Sequence, residues 1–441
     1  MEVDCARADG SSSAHAFDDA VTARTCAAPG NGTRRRAVAT PSSPEGVRLY
    51  QLPYLALLAT VFLGFSNNGI VQPILPIYVL DQGGDAALVG ALLLAFTVPS
   101  IVIRPFIGHL IDTRGTHSTF RLGAVGLGAA GFLFLGPGLP GVFLARSLHG
   151  AAWAAFNTAG NSALAELAPL SRRAEASGMY NLMSNLAQML APACGLILLA
   201  GFGFAGPFVA SASIGCIAAI LLTIGPFEHE TQASPRRSDS GFLRGLVDRA
   251  AVLPMSVGFV WVSVQTLFVV FPPVFAAERG IPVSELTLYY PVMGGVLIAA
   301  RLFARRITDR LPRLHVLVFG LAMGIIAMGV ATTARSVADL LLAACLFAIG
   351  SSATPTIATA IAIDRADPQR LGAAMATFSL GYPLGLGLGG AVWGLTIEAL
   401  DYPAPFLGAI LVLGTLLVLV LSPQVRRGLA VAAGAHAESS R

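Results

Sequence analysis

RPFIGHLIDTRG, residues Arg104–Gly115, is a short polar break between two long apolar runs. It returns in outline after a later apolar run as RLFARRITDRLP, residues Arg301–Pro312, with Arg, Phe and Asp at the same relative positions. A lone Gly-x-Leu-x-Asp-x-x-Gly string arises readily by chance, whereas an internal repeat carries architectural information. In the first copy Gly108 and Gly115 predict a tight turn in which two helix ends approach closely. Asp112 is a carboxylate placed to meet a neighbouring helix N-terminus or an arginine.

Working outward from this pair, apolar segments fill the chain. The 441 residues are 55% hydrophobic and 12% charged, with a mean hydropathy of +0.71. Soluble domains carry about a quarter of their residues as charges, so this surface needs lipid to face. A helix needs about 20 apolar residues to cross the hydrocarbon core. Twelve segments qualify, from Tyr54–Leu80 to Pro405–Leu421, and they include Ala86–Ile107, Val252–Ala276, Leu286–Ala304, Ala338–Ile363 and Ala373–Ala399. The expected fold is an all-α membrane protein of twelve transmembrane helices in two six-helix pseudo-repeats.

The boundaries expected are a disordered cytoplasmic tail over 1–48, a six-helix bundle over 49–226, a cytoplasmic linker over 227–250, a second bundle over 251–422 and a tail over 423–441. Residues 1–48 lack periodic apolar positions that could offset the entropy of folding. Arginine fixes the orientation. Alternate loops carry pairs and clusters such as Arg114 and Arg121, Arg172 and Arg173, and Arg236, Arg237, Arg244 and Arg249, whereas the opposite loops carry only Arg279 and Arg335. By the positive-inside rule both termini are cytoplasmic. The chain has no lysine; its net charge of +4 lies spread between apolar runs rather than on one patch, which argues against nucleic acid. Its five cysteines show no metal-ligand spacing, and no disulfide is expected.

Gly108, Leu110, Asp112 and Gly115 resemble motif A of the major facilitator superfamily, which that family carries between helices 2 and 3 with an echo between helices 8 and 9. Thr113, Thr116 and His117 stand where the family usually has basic residues, and the second copy lacks both glycines. Arg146, His149 and Gly150 fall in a segment similar to motif B of drug/proton antiporters, with His149 where that branch has Gln. Pro192-Ala-Cys-Gly195 resembles the end of antiporter motif C, with Ala191 replacing a glycine. The resemblance covers the twelve segments and implies alternating access in a drug or metabolite:proton antiporter, with Asp112 in a cytoplasmic gate.

Polar side chains are costly in hydrocarbon, so those present face the bundle interior. In the fourth segment Arg146, Gly150, Trp153, Asn157 and Asn161 recur at helical spacing. The fifth segment repeats the stripe with Asn181, Asn185 and Gln188; the first adds Asn67, Asn68 and Gln72, and the seventh adds Trp261, Gln265 and Phe268. Tyr382 joins this set as a cavity wall, while Tyr289 and Tyr290 fit either a cavity wall or an interfacial belt. The candidate substrate cavity is therefore Asn67, Asn68, Gln72, Arg146, Trp153, Asn157, Asn181, Asn185, Gln188, Gln265 and Tyr382. Interhelical hydrogen bonding is the structural alternative for each amide.

No Asp or Glu occupies the middle of any segment, so Arg146 needs water, carbonyls or an anionic substrate for balance. His149, one turn on, is the only histidine inside an expected helix and is, with Arg146, the candidate coupling site; the structural alternative is that Arg146 anchors the helix to neighbouring carbonyls and His149 packs. Arg104 and Arg301 read as snorkelling cations near the cytoplasmic ends. Gly108, Asp112, Gly115, Glu166, Asp309 and Asp364 form the expected cytoplasmic gate, with Glu166–Arg172 and Asp364–Arg370, or their exchange partners, joined in one inner-face charge network.

No catalytic set or metal cluster lies at membrane depth, and no phosphate-binding loop or lysine is present for ATP, so neither an enzyme nor an ATP-driven pump is expected. The expected function is secondary active transport, proton-coupled efflux of a small organic molecule (a drug or an acidic metabolite), from the bacterial cytoplasmic inner membrane as a multi-pass protein. Its partners are a small-molecule substrate, the proton and the lipid bilayer, with no cofactor. Uptake of a sugar or organic acid on the same fold, and a non-transporting membrane sensor, are the alternatives.

Overall fold

The computed structural model describes residues 49–136, 138–225, 249–308, 311–366 and 371–423. The tail over 1–48, most of the expected linker, the C-terminal tail, Asp309 and Arg370 lie outside the described residues, as does the side chain of Asp364.

Leu52–Asp81 forms α1, opened by Pro53 in the first turn, where its missing N–H costs nothing. Ala86–Val102 (α2) follows, started by Asp85, whose carboxylate accepts from the Leu88 N–H at 2.7 Å. A bend of 43° then leads into α3, Arg104–Arg114, so the motif expected as a tight turn is helical up to Arg114. Gly115 alone makes the turn, with φ +84°, into α4, Thr116–Leu133. Its backbone needs glycine because a β-carbon is strained at that φ. The expected close approach is absent: a β-carbon at Gly108 or Gly115 would meet nothing within 4 Å.

Next come α5 (Gly138–Leu167), α6 (Arg173–Phe202) and α7 (Ala205–Ile224). After the undescribed stretch, α8 runs Arg249–Val269 and α9 Pro272–Glu278, so the seventh segment is broken rather than continuous. The cause is Pro272-Pro273. An α-helix would have their N–H groups bond the carbonyls of Phe268 and Val269, and neither proline has one. Those two carbonyls accept instead from the hydroxyls of Tyr289 (3.0 Å) and Tyr290 (3.3 Å), at the start of α10, Tyr289–Thr308. Both tyrosines are buried, which removes them from a belt and from the cavity wall alike.

The remaining helices are α11 (Arg313–Thr332), α12 (Val337–Ser351), α13 (Thr354–Arg365), α14 (Leu371–Leu384), α15 (Gly390–Leu400) and α16 (Pro403–Leu421). The tenth and eleventh segments are thus interrupted too, the tenth at Ser352-Ala353 ahead of Pro355 and the eleventh by a π-helical turn at Gly385–Gly389 that follows Pro383. Such interruptions are tolerated in a membrane where neighbouring helices re-satisfy the freed backbone. Among the described residues, nine helices are long and apolar enough to cross a membrane, or ten if bent α2 and α3 count as one span. The expected twelve also included α4 and α5, which fall short by composition: Thr116, His117, Ser118 and Arg121 dilute α4, and Arg146, His149 and the asparagines dilute α5.

Helices α1, α2 and α4 to α7 pack on one another, as do α8 and α10 to α16. The two groups meet chiefly along α2 and α15 and along α6 and α10. At the first seam the backbones touch: a β-carbon at Gly90 would sit 2.7 Å from the Gly390 carbonyl, and one at Gly394 would run into that of Ala86. This small-residue contact is the sort that drives helix association in lipid.

Candidate substrate cavity and buried charge cluster

Two cavities lie between the helix groups. The first, about 340 Å³, is walled by Asn68 and Gln72 of α1, Trp153 and Asn157 of α5 and Gln188 of α6. From the other group, Gln265 of α8 and Tyr382 of α14 complete it, so seven of the sequence-derived candidates converge. The second, about 810 Å³, lies toward the ends where α6 begins and α13 finishes, and takes Asn181 and Asn185 of α6. Tyr382 lines both. The stripe on α6 therefore runs from one cavity into the other, with Asn181 and Gln188 exposed to them. Trp261 and Phe268, expected among the aromatics of this cavity, are core instead: Trp261 stacks on Phe347 at 4.6 Å and donates to Ser351 Oγ at 3.1 Å.

Arg146, His149 and Asn67 do not line either cavity. They form a dry cluster in which Arg146 is 4% exposed and the other two are 0% exposed. Arg146 Nη1 lies 2.9 Å from His149 Nδ1, and His149 Nε2 lies 3.0 Å from Asn67 Oδ1. Asn67 Nδ2 donates to the Ser211 carbonyl (2.7 Å) and to its hydroxyl (3.0 Å). The protons are fixed from both ends. A guanidinium only donates, so Nδ1 carries a lone pair; a backbone carbonyl only accepts, so Asn67 turns its oxygen toward Nε2–H. His149 is therefore neutral, with its proton on Nε2. The Arg146 guanidinium also rests 4.2 Å from the centroid of Phe96, which itself lines the smaller cavity. The imidazole and the ring are thus the partners that the protein itself supplies to Arg146, whose Nε has none.

His149 is not the only helical histidine, since His109, His117 and His315 lie in α3, α4 and α11; among the described residues it is the one buried outright. Asp112 is exposed in the last turn of α3, away from the cavities. Glu166 does not pair with Arg172. It accepts from the Thr116 hydroxyl, tying the end of α5 to the start of α4, while Arg172 clasps Glu175 through Nε (2.8 Å) and Nη2 (2.7 Å). The spacing of three within one helical turn holds that pair closer than the expected spacing of six could.

Sequence reasoning missed Phe96, Ser100, Thr266 and Arg104 among the lining residues. Arg104 had a signal: it occupies the same place in the repeat as Arg301, and Arg301 lines the larger cavity.

This is the architecture of a membrane transporter, with helices from two groups enclosing a polar cavity within an apolar shell. The family profile of the Major Facilitator Superfamily matches residues 57–337 and 255–438. The chain belongs to that family, and so it is a transport protein and not an enzyme. Multidrug resistance protein 2 of Bacillus subtilis (strain 168) is 24% identical over 385 residues, covering 83% of this chain and 94% of that protein. The staphylopine export protein of Staphylococcus aureus (strain Mu50 / ATCC 700699) is 26% identical over 140 residues, 32% of this chain and 35% of its own length. In fold, a point mutant of the nucleoside transporter NupG superposes with a TM-score of 0.70 at 14% identity, over 83% of this chain and 98% of that one. An inward-facing bacterial homologue of the human lysosomal transporter Spinster gives 0.65 at 16%, over 88% and 94%.

Proposed function

We propose that the chain is a twelve-helix secondary active transporter of the bacterial inner membrane, exporting a small organic molecule, a drug or an acidic metabolite, in exchange for protons. One observation carries the reading: amides and aromatics from both helix groups converge on a single cavity. Alternating access needs such a shared site, with two six-helix halves rocking about it. Counting α4 and α5 as spans brings the total to twelve, and the arginine distribution puts both termini in the cytoplasm. On that orientation the larger cavity is the cytoplasmic vestibule and the α2–α15 seam closes the outer side. The similarity to proteins described as multidrug resistance and export proteins supports the outward direction.

Coupling runs through His149. To accept a proton at Nδ1 the imidazole must first lose the Arg146 hydrogen bond, because a guanidinium cannot accept. Protonation and the position of Arg146 are thus mutually exclusive states of one cluster, and Phe96 connects that cluster to the cavity wall. The test is flux in proteoliposomes with and without an imposed pH gradient, using a panel of drug-like and acidic fluorophores. Gradient-driven flux is expected, together with loss of its pH dependence in His149→Gln; flux indifferent to the gradient for every compound would sink the antiport reading.

A further inference from the structure

The two cavities contain cations and no described anion. Among their described lining residues the charged side chains are Arg104 in the smaller cavity and Arg301 in the larger, with no Asp or Glu in either. The ion pair found among the described residues, Arg172–Glu175, lies elsewhere. Arg104 Nε is buried and lacks a hydrogen-bond partner, and so does Asn68 Oδ1, which belongs to the wall of the same cavity. Burying a donor of a charged group without a partner is costly, so such a site is completed by whatever occupies it. Arg146 cannot serve, since His149 and Phe96 hold it outside the cavity.

We propose that the transported molecule carries an anionic group, a carboxylate or its like, received by Arg104 in the central cavity and by Arg301 along the vestibule. The assignment rests on the transporter reading above and names its substrate class. A guanidinium presents a planar fork that matches a carboxylate in two parallel hydrogen bonds. The bond is strengthened in a site walled by protein rather than bulk water. Tyr382 borders both cavities, which makes them neighbours, and on this assignment the two arginines stand on one route through them. Their equivalence in the internal repeat gives each helix group one cation on that route, and the anion passes from one to the other as the halves rock. The unsatisfied Asn68 oxygen asks in addition for a donor on the ligand, such as a hydroxyl. Among the described lining residues no carboxylate answers a cationic ligand, which makes the discrimination two-sided.

The test uses the full-length protein in detergent and three probes of similar size and different charge, benzoate, benzamide and benzylamine, at millimolar concentrations. A ligand that binds only the folded state raises the unfolding midpoint by mass action. Stabilisation in the order carboxylate, amide, ammonium is expected, with the benzoate affinity falling about 10- to 100-fold in Arg104→Gln, the worth of one charge-assisted contact. A second arm needs no ligand. In a variant with the five native cysteines replaced and Asn157→Cys added, the anionic methanethiosulfonate MTSES should react faster relative to cationic MTSET than it does with a free thiol in water, and Arg104→Gln should erase that bias. Should Arg104→Gln fail to insert, Arg104→Lys is expected to keep the reagent bias and lose most of the benzoate preference. Equal responses to the three probes, a benzylamine preference, or faster reaction with MTSET would each overturn the proposal. Absent flux with the carboxylate preference intact would instead remove the transporter reading alone.

Discussion

Two stretches of α5, less than three turns apart, live in different media. Arg146 and His149 are closed in by protein, joined to each other and to Asn67, with Arg146 Nε left without a partner. Around Trp153 and Asn157 the same helix borders an open cavity. On an ideal helix of 3.6 residues per turn, Arg146, Trp153 and Asn157 point in nearly one direction. Direction alone thus does not decide function; the depth at which neighbouring helices close over the stripe does. On the proposed function the dry end is the coupling device and the wet end is the binding surface. Substitutions in the first should tell on stability, and those in the second on transport.

The largest expected effect separates them. His149→Leu leaves a buried guanidinium without its acceptor and should cost about 3 kcal/mol, whereas His149→Gln can accept from Arg146 and donate to Asn67 with one amide, and should stay within about 1 kcal/mol of the parent. Thermal unfolding in detergent checks both, and equal losses would dissolve the cluster as an energetic unit. Next, Tyr289→Phe removes the donor from the Phe268 carbonyl and should cost about 1–2 kcal/mol, with Tyr290→Phe somewhat less because its bond is longer. At the wet end, Gln265→Ala should lie within about 0.5 kcal/mol in stability yet lower flux several-fold; a stability loss like that of His149→Leu would erase the contrast. Smallest in free energy is Asp112→Asn, on an exposed side chain, where insertion and melting should be unchanged and turnover impaired. Unaltered turnover in that variant removes Asp112 from the gate.

The spans were legible in the sequence because lipid demands long apolar helices, and the amide positions were legible because helical spacing puts them on shared faces. Seven of the cavity candidates meet in one place for that reason. Adjacency in sequence makes Asn67 look like the twin of Asn68, but neighbouring residues on a helix point about 100° apart. Asn67 accordingly turns to Ser211 and His149 while Asn68 turns to the cavity. The Glu166–Arg172 pair failed for a different cause. Glu166 takes a hydroxyl partner on α4, which was invisible to reasoning confined to one loop. The breaks were half legible. Pro272-Pro273 announces two orphaned carbonyls, and the donors that answer them, Tyr289-Tyr290, stand in the very next segment.

Those two hydroxyls have a worth that changes with hydration. Phe268 is buried, so an unanswered carbonyl there is expensive and Tyr289 is hard to replace, whereas Val269 borders the smaller cavity. Once water reaches the same carbonyls it answers them nearly as well, and the tyrosines become dispensable. On the alternating-access reading, the clasp between α8 and α10 is a humidity-sensitive latch, strong in a sealed conformer and slack in a wetted one. Loss of either hydroxyl consequently penalises only the dry population, and tips the resting equilibrium toward whichever conformer lets water into the break.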